Sequence, residues 1–210
     1  MAKAKLMIKA SQWEPVAVEI EGLPPGLLMH RRPREPYKLP KDPQDEHFVE
    51  EARQGLYVLD PSRDDVEYGF PAIGFRQAIM TWTKTLSSND SKNAIRQGLR
   101  MDFTPDGLIP IVPNGAVTAS GVMGGDIITV KDEPWVVDLR QAKVMRSGIW
   151  RARPLFAGGW TAVIPMQYNE EHLRHEDVIA CLHEAGGGVG VGDYRQQSGG
   201  PFGGFRVVGL

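Results

Sequence analysis

Ten of the chain's 24 glycines lie between Gly186 and Gly209, and no other feature restricts the fold as strongly. Glycine at that density weakens helix and strand interiors alike. His175 to Ala185 reads as an amphipathic helix ended by Gly186, with Val189–Val191 and Phe205–Val208 as short strands around a long loop. Glycine amides tolerate positive φ and let a backbone approach an anion closely, forming a concave nest. Arg195 and Arg206 add charge, while Tyr194, Phe202 and Phe205 either stack on a base or pack inward. No helix follows on which a pyrophosphate would rest, so this is not a dinucleotide fingerprint. The plainer alternative is a hairpin whose glycines only permit tight turns. The combination of glycine, arginine and aromatic residues favours nucleic acid.

The rest of the chain supplies the scaffold. Val16 to Glu21 alternates apolar and acidic residues, as a half-buried strand does. Residues 22–67 are read as an insertion. Its first half carries Pro24, Pro25, Pro33, Pro36, Pro40 and Pro43, which exclude helix and central strand. An extended arm is expected there, with a short helix from Asp45 to Gln54. Pro71 to Leu86 is the clearest helix, with Pro71 in its first turn and Ile73, Ala78, Ile79, Trp82 and Leu86 on an apolar face. Strands are expected over Leu108–Val112, Asp126–Val130, Trp135–Val144, Ile149–Phe156 and Trp160–Tyr168, punctuated by glycine pairs. The order predicts a single α+β domain over residues 1–210. Its class is a ferredoxin-like or RNA-recognition-like two-layer sandwich with an open sheet face, a proline-rich insertion after the first strand and a glycine-rich loop over 186–205.

Charge is segregated. Residues 1–41 hold eight Lys or Arg against four Glu, and residues 42–67 hold nine acids against Arg53 and Arg63. No acid occurs between Asp138 and Glu170, a gap containing Arg140, Lys143, Arg146, Arg151 and Arg153. A polyanion responds to such local fields whatever the net charge of −2. Unlike blocks on one chain also favour a heterologous, head-to-tail contact between copies, for which the proline-rich arm supplies reach. The single cysteine, Cys181, excludes an internal disulfide and suits a reducing compartment. No apolar run approaches the roughly 18 residues needed to cross a membrane. The chain reads as cytoplasmic.

Catalytic patterns are missing. There is no G-x-S-x-G, H-E-x-x-H, cysteine pair or Walker lysine, so an enzyme is not expected. His172, His175 and His183 fall on or beside the second helix, but their spacing does not assure three converging ligands. They read as surface or core histidines, and no metal or cofactor is expected. Cys181 sits in an apolar stretch as a packing residue.

The tail, closing in Phe205-Arg206-Val207, resembles the C-terminal glycine-rich loop of the RAMP superfamily, RNA-binding proteins that include backbone subunits of CRISPR effector complexes. Phe70-Pro71-Ala72-Ile73-Gly74-Phe75-Arg76-Gln77-Ala78-Ile79 is similar to that family's loop-then-helix segment. The insertion is similar in place to insertions that carry its RNA-contacting loops, and the whole layout resembles a short phage-encoded protein. The resemblance implies a non-catalytic protein that assembles along a small guide-like RNA and presents it to a complementary DNA or RNA. In a phage-encoded form, the host cytoplasm would be its compartment. The expected RNA contacts are Arg31, Arg32, Arg34 and Lys38 in the insertion, and Arg76, Lys84 and Arg96 on or after the first helix. Arg146, Arg151 and Arg153 follow in the acid-free stretch, then Gly190, Gly192, Tyr194, Arg195, Phe202 and Arg206 in the tail. A phage single-stranded DNA-binding or annealing protein, and a virion assembly protein, are the alternatives.

Overall fold

A computed structural model describes residues 11–33, 35, 37–60, 62, 67–102, 106–115, 125–144 and 147–209. Arg34 and Arg146 lie outside the described residues.

The alternation at the start of the chain becomes β1 (Trp13–Gly22), in which Val16, Val18 and Ile20 are buried and Ala17 and Glu19 exposed. It pairs antiparallel with β9 (Thr161–Asn169) on one side and β10 (Phe205–Gly209) on the other, and β9 in turn carries the short β4 (Leu99–Met101). Numbered by their own order in the chain, the four strands lie 4-1-3-2 across this sheet. Helices α2 (Ala72–Trp82) and α3 (Asn89–Gly98) occupy the first crossover, and α4 (His175–Gly188) the last. α2 packs on α4, and α4 on β10. Their side of the sheet buries Ile164, Met166, Leu99 and Phe205, while Val163, Arg206 and Val208 face outward.

The expected meander does not extend this sheet. β7 (Val136–Val144) and β8 (Ser147–Ala157) form a hairpin within a second antiparallel sheet, flanked by β6 (Asp126–Thr129) and β2 (Gly26–Leu28). β3 (Tyr68–Pro71) and β5 (Leu108–Ile111) pair separately. The chain changes sheets at the turn before Trp160. Gly22 donates its N–H to the Trp160 carbonyl at 2.7 Å, and its own carbonyl accepts from Gly159 N–H at 2.7 Å. With Trp160 fully buried, these bonds fix the corner.

The insertion is not a projecting arm. Leu27, Leu28 and Met29 are fully buried, and β2 is an edge strand, the one sheet position that proline neighbours tolerate. α1 (Asp45–Gln54) has the expected bounds, with Asp45 and Glu46 in its first turn and Arg53 in its last, as the helix dipole favours. It lies on β8, where the Glu51 carboxylate accepts from Ala152 N–H at 3.2 Å. Below it, Glu133 accepts from the Tyr68 hydroxyl at 2.8 Å and from the Trp135 indole at 3.1 Å, with Arg53 at 3.8 Å. Burial, then that bond, pushes the Tyr68 phenol up to about 12.

Two readings of the tail need correction. α4 runs to Gly188 and does not stop at Gly186. Gly186 serves close packing, because a Cβ there would fall 2.2 Å from the Phe205 carbonyl oxygen. Val189–Val191 form no strand, since Gly190 and Gly192 take φ of +72° and +84°. Among the described residues no helix is long and apolar enough to cross a membrane.

Candidate nucleic-acid interface

The glycine-rich loop is built onto β2. Asp193 N–H donates to the Leu28 carbonyl and Gly203 N–H to that of Gly26, both at 2.8 Å, and Val191 N–H to that of Gly203 at 2.8 Å. The strand that proline left exposed is thus covered by the loop. Gly192 lies so near it that a Cβ would sit 2.5 Å from the Leu28 oxygen and 2.9 Å from Leu27 Cδ1. Gly190 is similarly confined, with its Cβ position 2.9 Å from the Gly203 oxygen. These glycines let the loop close on the body of the protein.

Between that loop, the start of α2 and the insertion lies a pocket of about 300 Å³, lined by His30, Arg32, Tyr57, Gln77, Asp193 and Arg195. Pro71, Ile73 and Gly74 bring the N-terminal turn of α2 to its wall, without a side-chain cap. Ala72 N–H is spent on the Gly107 carbonyl at 3.0 Å. An uncapped first turn carries positive potential and favours anions.

The side chains are mixed in charge. Arg195 is steadied by Gln197 Oε1 at 3.0 Å and by the Gly192 carbonyl at 3.4 Å. Arg32 is exposed and has no ion-pair partner among the described residues. Burial first, then Arg153, Arg32 and Arg151, lower the His30 pKa against the opposing pull of Asp193. His30 is therefore a neutral imidazole at pH 7. Burial raises the Tyr57 phenol despite Arg31, so it too is neutral and can donate. Two guanidiniums, an imidazole, a phenol and an amide beside a helix N-terminus suit a phosphate group or a phosphodiester.

The acid-free stretch looks different once folded. Arg151 meets Glu51 at 3.3 Å, Arg153 meets Asp193 at 2.7 Å, and Arg140 grips the fully buried Asp138 at 2.6 Å and 2.9 Å. Arg206 pairs with Glu21 at 2.7 Å. The stretch that excludes acids locally receives them from α1, the glycine-rich loop and its own strand. Phe202 is fully buried against Leu28, Val136 and Leu155, so of its two expected roles it takes packing and not stacking. Tyr194 is 42% exposed at φ +44° and presents its ring at the loop. Arg31, Lys38 and Lys84 are exposed, and Arg76 lies outside this pocket, in a hollow with Arg96.

His30, Tyr57 and Gln77 were not legible as site residues. His30 alone carried a signal, standing directly before Arg31 and Arg32. The histidines of α4 lie elsewhere: His183 Nδ1 accepts from Val207 N–H at 3.4 Å, and His175 meets the Tyr168 ring at 6.0 Å. Cys181 is 4% exposed, and burial pushes its thiol up to about 12. Comparison with models of known protein families finds no match, and neither does comparison with curated proteins.

Proposed function

We propose that the chain is a non-catalytic nucleic-acid-binding protein of RAMP type. In this reading it holds the backbone of a small guide-like RNA at the pocket between α2 and the glycine-rich loop. The bases are left to pair with a complementary strand. The observation that carries it is convergence. The insertion (His30, Arg32), the start of α2 (Pro71, Gln77) and the glycine-rich loop (Gly192, Arg195), three segments to which the resemblance points, line one pocket. In it two guanidiniums meet a single carboxylate, Asp193, itself paired with Arg153.

The strand order 4-1-3-2 with helices in both crossovers supports a ferredoxin-like reading of this sheet and, with it, the same function. The open face of that sheet is a poor platform for bases. It presents Ala17, Glu19 and Val163 beside an Arg206 already paired with Glu21, so the loop side is the favoured surface.

Anisotropy of a labelled 20-residue oligouridylate tests the proposal. Arg32→Gln and Arg195→Gln should each weaken binding to all sequences alike, and each should lower the salt slope by about 0.7. The bound strand should be recovered uncut. Equal affinity for the deoxy strand would move the reading to single-stranded DNA. A protein that purifies free of nucleic acid and binds neither strand would overturn it.

A further inference from the structure

We propose that the open face of the four-stranded sheet is an interface between two copies of this chain, related by a two-fold axis. α2 and α4 pack on the opposite face. Along the middle of the open one run Pro15 and Ala17 of β1, Val163 and Pro165 of β9, and Val208 of β10. Val163 is 54% and Val208 47% exposed, while Ile20 and Ile164 on the reverse are fully buried. A contiguous apolar surface rimmed by charge marks a place of contact.

The charges at its two ends identify the occupant. Pairing sets Ala17 opposite Pro165, Glu19 opposite Val163, and Pro15 opposite Gln167, which in turn lies opposite Arg100. Arg100 and Glu19 therefore stand on either side of the Ala17–Pro165 row, each two residues along the strands from it. The Arg100 guanidinium carbon lies 3.5 Å from the centre of the Trp13 ring, which holds the charge over the face and engages only its flat side. Neither Arg100 nor Glu19 has an ion-pair partner among the described residues, in contrast to Arg206 and Glu21. Asp102, the other acid near Arg100, is held at the rim by Gln167 Nε2 at 2.8 Å. An axis across the strands at Ala17 and Pro165 lays Glu19 of one copy above Pro15 of the other, beside Arg100, and symmetry repeats the contact. A two-fold interface requires such self-complementarity. Nucleic acid suits the face less, because Glu19 repels it.

The edges of this sheet offer less. At β10 a Cβ on Gly186 would fall 2.2 Å from the Phe205 oxygen, and Val207 N–H is donated to His183 Nδ1 at 3.4 Å, so α4 closes that edge. The other edge strand, β4, has only three residues. Four strands about 4.8 Å apart and about 20 Å long offer about 400 Å² per copy, which suits a weak, reversible dimer with a Kd of about 100 µM. Apolar area supplies its affinity and the ion pairs its register, so the mass at a fixed concentration changes little with salt. The N-terminal turn of α2 lies across the sheet and stays open, and the proposal is independent of what binds there.

The test is sedimentation equilibrium of the full chain from about 5 to about 500 µM, where the parent should pass from monomer to dimer. Glu19→Arg sets like charges opposite each other at both ends of the interface, and so does Arg100→Glu. Each alone should weaken self-association by about tenfold or more. Mixed in equal amounts, the two variants should recover a dimer of parent affinity, since each supplies the charge that the other lacks. That recovery also shows both to be folded. Ala17→Asp places two carboxylates at the axis and should leave a monomer. A parent that stays monomeric throughout overturns the proposal, as does a pair of variants that fail to dimerise together while the parent does so. An Ala17→Asp variant that loses oligouridylate binding but self-associates like the parent would assign the face to nucleic acid and overturn it too.

Discussion

His30 carries the pH dependence of the pocket. Its pKa is lowered chiefly by burial, with the arginines around it adding to the effect. An unfolded histidine titrates near 6.5, so between that value and the lowered folded value the unfolded chain binds more protons. The stability His30 contributes is complete above 6.5 and is lost as pH falls toward its folded pKa. A bound phosphate reverses the preference by stabilising the imidazolium. Oligouridylate affinity should therefore rise by about fivefold, roughly 1 kcal/mol, as pH falls from 7 to 5.5. His30→Gln should flatten that profile while leaving affinity at pH 7.5 within about twofold; an unchanged profile would remove His30 from the pocket's chemistry. Gly192 makes the opposite point about what a residue reveals alone. Its φ of +84° and the Leu28 oxygen in the path of a Cβ make Gly192→Val destabilising by about 3 kcal/mol, a drop of about 6–12 °C in melting temperature. Phosphate binding and tight closure both call for glycine, and only the neighbouring strand β2 shows that closure is required here.

Elements were legible where local chemistry is self-sufficient. α1 begins and ends as expected because acids open it, Arg53 closes it, and Phe48 with Ala52 supplies its inner face. β1 alternates and is buried on one side only. The failures lie where a distant contact decides. Val189–Val191 have strand composition, but flanking glycines at positive φ turn the chain toward β2. The split of the strands into two sheets rests on backbone bonds that join Gly22 to Gly159 and Trp160, far from it in sequence. The two residues that α4 adds beyond Gly186 give a clean check. A Cβ at Gly187 meets nothing, so in a continuous helix Gly187→Ala should stabilise by about 0.5–1 kcal/mol. A loss of stability would mean that the helix stops at Gly186. The docking of α1 has its own test. Glu51→Ala deprives Ala152 N–H and Arg151 of their partner and should cost about 1–3 kcal/mol in denaturant melts. A change under 0.5 kcal/mol would show that the carboxylate adds nothing to the apolar contact of Phe48 and Ala52.

Across the whole molecule, the acidic block and the acid-free stretch meet within one chain at Glu51 and Arg151, and further members of each pair with residues outside the other block. Glu51 of the acidic block takes Arg151, Glu133 takes Arg53, and Asp193 takes Arg153. Asp64 and Asp65 of the acidic block lie outside the described residues. Among the described residues, Arg140, Arg151 and Arg153 of the acid-free stretch are engaged within the chain, and the segment expected to reach a neighbour forms β2 and α1. A head-to-tail contact would have to draw on other cations, such as Arg31, Arg32 and Lys38. Salt should then act on the stability of each chain and not on its mass. Exposed pairs contribute about 0–1 kcal/mol each, and screening at 0.5 M removes most of that from Arg151–Glu51, Arg53–Glu133 and Arg206–Glu21. Arg153–Asp193 is less affected, because the Arg153 side chain is only 15% exposed. A combined loss of about 1–2 kcal/mol corresponds to a fall of about 2–8 °C in melting temperature between 50 mM and 500 mM salt. Light scattering over the same range, without nucleic acid, should return one constant mass. A mass that grows as salt is lowered, with an unchanged melting temperature, would restore the charge-block assembly and mean that the intrachain pairs open in solution.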